Sequence, residues 1–402
     1  MERSHLRRAL ATAILILASV GATAQDASFY SATTSHFRVL SDVGSTFSRD
    51  VARKMEAGLE LCEEYLRFDL TEIPLPLRAR IFRSKDDYDR YLMGLISETR
   101  SDFVFISYRD RARSELVGFQ REAPDFDASL LHYGFIQVLN SRIPGAPLWL
   151  EEGMATYLEG SRYDPAGGRF DFRPNLAWLD SLKRILRDPV LASRYGLQDL
   201  LLADRRAAET NIEVFYPAAW GLVYFLLESP DRRYNRILWD SISALDPAAT
   251  VGENSRRALE KAFAWIALPE LEEALRAYIL SLSTFNDLVQ EGVQLYGSGA
   301  LEDSRALFLR AADLRSDSYI PPYYLGLIAY QSMQYDEATR RYQEAQRLGA
   351  DPALVSYALG VNAFADQDYA LAAEYLNRAR EIDPVGFADK ADALLQRIEV
   401  MR

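Results

Sequence analysis

The C-terminal part of the chain repeats with a period of 34 residues, and this period constrains the fold more than any other feature of the sequence. The first sign of it is a glycine at three equally spaced positions, 292, 326 and 360. Five further columns keep the same step: Tyr296, Tyr330 and Phe364; Leu301, Tyr335 and Tyr369; Ser304, Ala338 and Ala372; Phe308, Tyr342 and Leu376; Ala311, Ala345 and Ala379. Small residues at fixed places between large apolar ones are typical of helices that cross closely. The period predicts three helix pairs over 285–318, 319–352 and 353–386, and a capping helix over 387–402.

The clearest copy, YYLGLIAYQSMQYDEATRRYQEAQRLGADP, resembles the tetratricopeptide repeat (TPR). This resemblance implies an α-solenoid in which the first helix of each repeat lines a concave groove. The residues that it places in the groove are Val293, Tyr296, Tyr323, Leu327, Tyr330, Tyr357, Val361 and Phe364. Because no Lys/Asn cluster is present to clamp a peptide carboxylate, we expect an apolar groove that binds a partner protein or peptide. The alternative is that the groove packs on the chain's own helices before residue 284.

Residues 1–24 predict an export signal. MERSHLRR is a basic segment, ALATAILILASVGA an apolar one, and ATA before Gln25 a small-residue cleavage site. The apolar run is short for a membrane span, and no second such run follows, so no membrane span is expected after cleavage. The sequence therefore predicts an exported protein, periplasmic or secreted; the alternative is that the segment stays as an anchor.

Charge and cysteine content exclude several kinds of partner and site. The formal net charge is −12, and removal of residues 1–24, which carry three Arg and one Glu, lowers it to −14. An acidic chain without a Lys/Arg run argues against nucleic acid as a partner. Cys62 is the only cysteine, so the chain cannot form an intramolecular disulfide. Its place at helical spacing in MEAGLELCEEYL favours a core position.

Upstream of the repeats, residues 25–165 alternate strand and helix, and residues 166–284 are expected to be mostly helical. Strands are predicted at 35–42 and 77–84, with a long helix at 47–68 between them. A second helix is expected to begin after Ser84 as its cap. Segments 102–108 and 115–120 predict a hairpin, and two helices follow at about 127–141 and 149–159.

PLWLEEGMATYLEG (147–160) resembles a segment of gluzincin-type (peptidase MA-like) metallopeptidases. The resemblance covers about residues 30–240. It also includes YPAAWGLVYFLLE, which is similar to a helix in a bacterial family related to these peptidases. It implies an α+β metallopeptidase-like domain with zinc held by H-E-x-x-H on one helix and by a third ligand on the next. Glu152 falls on that third position, 20 residues after His132.

The sequence departs from this motif at the residues that perform the chemistry. With His132 as the first ligand, Tyr133 replaces the general-base Glu and Ile136 replaces the second His. A catalytic zinc site takes three protein ligands and a water, and His132 and Glu152 supply only two. We therefore expect no cofactor, and zinc only if a distant side chain completes the site. His132, Tyr133 and Glu152 are the remnant catalytic candidates.

These residues also have plainly structural interpretations. His132 can be a hydrogen-bonded residue on a helix face, and Glu152 can stabilise a helix start through the dipole. Trp149 and Leu150 are predicted to lie in the core, and Glu151 and Glu159 to be solvated. The sequence thus predicts an exported bacterial TPR protein with an inactive peptidase-like domain, acting as a scaffold or adaptor. The alternatives are a hydrolase that uses His132, Glu152 and Tyr133 in altered roles, and a purely structural protein.

Overall fold

A computed structural model describes residues 12–15, 29–66, 76–192 and 196–401. About 68% of the described residues are helical, with one small sheet near the N-terminus and a long all-helical C-terminal region. The chain divides into two units, with the boundary after Leu282. Apart from residues 12–15, the predicted signal segment lies outside the described residues. No helix in the described part is both long and apolar enough to cross a bilayer.

A six-stranded mixed sheet organises the N-terminal unit. Its strands are β1 (Thr12–Leu15), β2 (Tyr30–Thr33), β3 (Phe37–Ser41), β4 (Leu77–Phe82), β5 (Val104–Tyr108) and β6 (Glu115–Phe119). The strand order is β1-β5-β6-β4-β3-β2. Strands β3, β4 and β6 are parallel, whereas β2 and β5 run antiparallel to their neighbours β3 and β6. This arrangement confirms the predicted strands near 35–42 and 77–84 and the hairpin around residues 109–114; β2 was not predicted.

Four helices connect the strands and place the residues of interest. They are α1 (Ser45–Leu66), α2 (Lys85–Ile96), α3 (Asp125–Arg142) and α4 (Leu148–Leu158). The cap on α2 is confirmed, because the Ser84 side chain accepts a hydrogen bond from the Asp87 backbone N–H. Cys62 is buried on α1 and unpaired, as predicted. The order strand, helix, strand, helix, hairpin, helix, helix therefore holds in the structure.

The stretch after α4 is mostly helical, with one exception. A two-stranded hairpin, β7 (Arg162–Asp164) and β8 (Arg169–Asp171), comes first. Its loop contains Gly168 at φ 65°, a left-handed conformation that suits glycine. The helices that follow are α5 (Leu179–Arg187), α6 (Pro189–Ala192), α7 (Leu197–Leu202), α8 (Arg205–Thr210), α9 (Ile212–Glu228), α10 (Arg232–Ala244), α11 (Val251–Ala262) and α12 (Leu268–Ser281). The expectation of helices from residue 166 missed β8, where DPAGG is a turn signal.

The C-terminal unit contains seven helices in its described residues. They are α13 (Phe285–Gly297), α14 (Leu301–Leu314), α15 (Ile320–Gln331), α16 (Tyr335–Arg347), α17 (Pro352–Ala365), α18 (Tyr369–Ile382) and α19 (Pro384–Met401). The first six form three pairs with the 34-residue period. The periodic glycines explain the pairing: a methyl group on Gly326 would lie 2.6 Å from the Tyr342 ring, and one on Gly360 2.8 Å from Leu376. Each glycine thus admits the large side chain of the facing helix.

The three-residue loops inside the pairs share a left-handed residue at the same period, Gly299, Met333 and Gln367. At Met333, φ is 59°, which costs a non-glycine residue about 1–2 kcal/mol. Replacing Met333 with glycine removes this cost but adds about 0.4–1 kcal/mol of unfolded-state entropy. We therefore expect Met333→Gly to raise the free energy of unfolding by about 0.5–1 kcal/mol, measured by urea denaturation. Met333→Ala, which keeps a Cβ, is the control and should bring no such gain.

Candidate functional site

Helices α3 and α4 meet at a cluster of charged side chains that the fold buries. Every residue of α4 is buried, as expected for a helix that is apolar all round. Trp149 and Leu150 lie in the core, as predicted. The two glutamates of the same helix are buried as well: Glu151 is 3% exposed and Glu152 2%. Glu159, directly after α4, is 8% exposed, so the prediction that Glu151 and Glu159 are solvated is wrong.

His132, on α3, lies between two of these carboxylates. Its Nδ1 is 2.8 Å from Oε2 of Glu159, and its Nε2 is 3.6 Å from Oε2 of Glu152. The second oxygen of Glu159 accepts a hydrogen bond from Nδ2 of Asn175, at 2.7 Å. Each nitrogen of the imidazole therefore faces a carboxylate oxygen. We call His132, Glu152 and Glu159 the ion cluster.

The surroundings of His132 favour its charged form. Burial alone would lower the pKa of the imidazole, but the close carboxylates of Glu152 and Glu159 and their negative charges outweigh it and raise the pKa from 6.5 to about 10. At neutral pH the ring is thus an imidazolium with both N–H groups directed at carboxylates. A metal ion would have to displace the proton on Nε2, because only a deprotonated imidazole nitrogen binds a metal.

Glu151 is a third buried acid, beside the two of the ion cluster. One of its oxygens accepts a hydrogen bond from Nδ2 of Asn140, at 2.6 Å. Burial and the nearby charge of Glu152 raise the pKa of Glu151 to about 7, against the opposing effects of Arg205, Asn140 and His132. A carboxyl group that changes charge near neutral pH is a property that catalytic acids and bases share, although buried structural acids show it too.

The positions that would carry the missing zinc chemistry have become part of the core. Tyr133 is 3% exposed and its ring packs on Phe103, with centroids 6.4 Å apart. Burial raises its pKa well above the ordinary value for a phenol. Ile136 is fully buried. The side chains that replace the base and the second histidine therefore contribute apolar packing.

The remaining residues do not supply a zinc site either. His36 lies directly before β3, where its Nδ1 is 2.8 Å from Oε2 of Glu56 on α1. Within the described ranges, no three or more His, Cys, Asp or Glu side chains are arranged to hold a metal ion. Glu152 faces Nε2 of His132 and Glu159 faces Nδ1, so only Glu152 could share an ion with Nε2, and these two donors fall short of the three protein ligands of a catalytic zinc site. The donor set present at the ion cluster does not fit zinc.

The residues predicted to line the groove share one degree of burial. All eight are half-buried, neither inside the core nor fully exposed. Several make aromatic contacts within the C-terminal unit: Tyr323 with Tyr342, and Tyr357 with Phe387 of α19. The guanidinium group of Arg397 lies 5.3 Å from the ring centroid of Phe364. These side chains lie in a row of partly accessible positions on α13, α15 and α17, and seven of the eight pack against the buried core of the repeats.

The raised pKa of Glu151 predicts how stability depends on pH. Its value is about 7 in the folded protein against 4.5 normally, so the stability that protonated Glu151 provides is complete below pH 4.5 and lost as the pH rises through 7. The His132 contribution is complete below pH 6.5 and is lost only as the pH approaches about 10. We therefore expect the urea concentration at the unfolding midpoint to decrease as the pH is raised from about 4.5 to 7.

In Glu151→Gln, which stays neutral, this fall should be much smaller. Glu260→Gln, at an exposed position, is the control and should leave the pH profile of the wild type unchanged. An unaltered profile in Glu151→Gln would assign the titration to another group.

Comparison with known proteins finds one part of the chain similar to a protein family. Residues 132–245 match a family described as a protein of unknown function, DUF1570. The match covers little more than a quarter of the chain and begins at His132, so it includes all three residues of the ion cluster. No curated protein matches the chain at a significant level.

Proposed function

We propose that this protein is an exported bacterial scaffold, in which a catalytically inactive peptidase-like domain is joined to a TPR-type solenoid that binds a partner protein or peptide. The observation that carries the proposal is the row of eight half-buried apolar side chains, which recurs at the same place in each of the three helix pairs. Repeats that stack helix pairs in this way commonly present an extended concave binding surface. An apolar groove accepts the apolar face of a helix or an extended segment.

The inactive assignment rests on the ion cluster. His132 is charged at neutral pH and engaged on both nitrogens, while Tyr133 and Ile136 fill the positions of the base and the second ligand. Without a metal-activated water and a general base, the peptidase mechanism implied by the sequence resemblance has no reacting groups. The cluster instead connects α3, α4 and the segment that carries Asn175.

Export rests on the segment 1–24. If that segment is cleaved, β1 is removed with it, and β5 becomes the edge strand of a five-stranded sheet. N-terminal sequencing of the exported protein should then begin at Gln25.

A second candidate function is a hydrolase that uses a non-standard site around His132 and Glu152. One observation favours it: Glu151, with its pKa of about 7, could exchange a proton at neutral pH. Against it, Glu151 and Glu152 are almost completely buried, so a substrate would need an opening between α3 and α4. Hydrolysis that is lost in Glu151→Gln while the fold is retained would favour the hydrolase.

The scaffold proposal is tested by photo-crosslinking in the producing bacterium. A photoreactive amino acid at position 330 lies in the predicted groove, and one at Gln343, exposed on α16, serves as the matched control. We expect a discrete crosslinked partner from position 330 only. Equal crosslinking from both positions, or none from position 330, would contradict a partner in the groove.

A further inference from the structure

One end of the N-terminal sheet gathers arginine side chains. Strands β3, β4 and β6 run parallel, so they all begin at this end, and β5 finishes there because it is antiparallel to β6. Arg38 on β3 is the register partner of Arg78 on β4, and Arg78 is the partner of Glu115 on β6. Register partners share a sheet face, so Arg38 and Arg78 project from the same side.

Three further arginines come from the connection between β5 and β6. Arg109, Arg111 and Arg113 are all exposed, and residues 111–113 form a single 3-10 turn. The guanidinium group of Arg113 lies 5.1 Å from the ring centroid of Tyr108, and Arg111 donates a hydrogen bond to the Ser141 backbone oxygen at 3.2 Å. The turn therefore has fixed contacts that orient two of its charges. We call Arg38, Arg78, Arg109, Arg111 and Arg113 the arginine cluster.

Electrostatics at Tyr108 place part of the arginine cluster close together. Burial and the charge of Glu115 raise the pKa of Tyr108, and Arg113, Arg78 and Arg80 oppose this rise. Three guanidinium groups from β4 and the β5–β6 turn thus act on one half-buried phenol. Of the three, only Arg80 is buried and neutralised, by Glu115 at 3.3 Å.

No carboxylate in the described residues forms an ion pair with a member of the arginine cluster. None of its five members takes part in an ion pair there, whereas other exposed arginines such as Arg233, Arg236 and Arg340 each pair with a neighbouring acid. Of the two nearest acids in sequence and register, Glu115 is ion-paired with a different arginine, and exposed Asp110 offsets one of the five positive charges. Glu115 binds Arg80 and accepts a hydrogen bond from the Tyr91 hydroxyl, and Asp110 accepts one from the Ala112 backbone N–H.

This imbalance is unusual for a chain whose formal net charge is −12. Five like charges near one another repel, and a chain with 58 acidic residues could pair them locally at little cost. We propose that the arginine cluster is a docking surface for an acidic segment of a partner protein. Planar guanidinium groups bind carboxylates through two parallel hydrogen bonds, and the contact with the half-buried Tyr108 ring orients that of Arg113.

The negative charge of the rest of the chain favours a short acidic protein segment over a membrane surface or a nucleic acid as the ligand of the arginine cluster. A membrane surface or a nucleic acid presents negative charge over a wide area, and would be repelled by the acidic remainder of the protein. A short segment with a few carboxylates meets only the cluster. The surface belongs to the N-terminal unit, so it adds a second binding site to the groove proposed in the repeats.

The test uses a fluorescently labelled hexaglutamate peptide, with hexaserine as the uncharged comparison, and fluorescence anisotropy at low salt. The variant is Arg109→Ser/Arg113→Ser, which removes two exposed charges. The matched control is Arg233→Ser/Arg236→Ser, which changes the net charge equally but disrupts two ordinary surface ion pairs. Phosphatidylglycerol vesicles are the anionic-membrane arm.

We expect hexaglutamate to bind the wild type and the control alike, and to bind Arg109→Ser/Arg113→Ser about 5- to 20-fold more weakly, as for the loss of two exposed charge contacts. Binding should weaken with added salt, and hexaserine should not bind. No binding of hexaglutamate, or equal weakening in both double variants, would overturn the proposal. The proposal would also be overturned if the vesicles bound in a way that depends on Arg109 and Arg113 while hexaglutamate did not bind.

Discussion

Replacing His132 with alanine is expected to lower the free energy of unfolding of the N-terminal unit by about 3–5 kcal/mol, the range for removing one partner of a buried ion pair. The reason is that Glu152 and Glu159, 2% and 8% exposed, lose the positive charge between them. The loss should be smaller at acid pH, because the stranded carboxylates can then take up protons. Urea denaturation at two pH values measures both effects.

His36→Ala is the matched control for this variant. His36 and Glu56 are also 2.8 Å apart, but their side chains are 25% and 23% exposed. A pair that water reaches contributes about 0–1 kcal/mol, so His36→Ala should cost far less than His132→Ala. Replacing Glu152 and Glu159 with glutamine in addition to His132→Ala should recover part of the stability. Equal costs for the two histidine variants would show that the ion cluster does not stabilise the fold.

Replacing Gly153 with alanine is expected to cost about 1–3 kcal/mol, the usual range for overpacking a close contact. Gly153 lies in the middle of α4, where the helix crosses α9. A methyl group there would lie 2.6 Å from the backbone oxygen of Ala219 and 2.7 Å from the side chain of Val223. Because one neighbour is backbone, the two helices themselves must move apart.

Gly134→Ala is the control, since Gly134 lies in the middle of α3 and a methyl group there meets nothing within 4 Å. Alanine is favoured over glycine inside a helix, so this variant should be more stable than the wild type by about 0.5–1 kcal/mol. The two substitutions are chemically identical and should shift the urea midpoint in opposite directions. A stabilising Gly153→Ala would mean that α4 and α9 are less closely packed than described.

The helices of the repeats were predictable because the same pattern of a glycine and a large facing side chain occurs three times in the sequence. Gly326 alone is ambiguous, but Gly292, Gly326 and Gly360, each facing Phe308, Tyr342 or Leu376, define a crossing. Strands β3 and β4 and the β5–β6 hairpin were predictable from local pattern and turn residues. Strand β2 is four residues of mixed character, and only its pairing with β3 makes it a strand.

Two of the three residues of the ion cluster were predictable from the sequence. His132 and Glu152 stand out through the resemblance to a zinc motif, but Glu159 was missed. Two signals could have found it. Its spacing of seven residues from Glu152 corresponds to about two helical turns, which puts both on one side of the helix. LWLEEGMATYL is also apolar on all sides, and such a helix is buried together with whatever charges it carries.

The measurement that tests the central claim most directly is the zinc content of the purified, metal-replete mature protein, determined by elemental mass spectrometry with His132→Ala and His36→Ala alongside. If the ion cluster replaces a metal site, zinc lies well below one per chain in all three proteins. Near-stoichiometric zinc that is kept in His36→Ala and lost in a folded His132→Ala protein would contradict the account. It would mean that His132 is a metal ligand and that the site retains the means for hydrolysis.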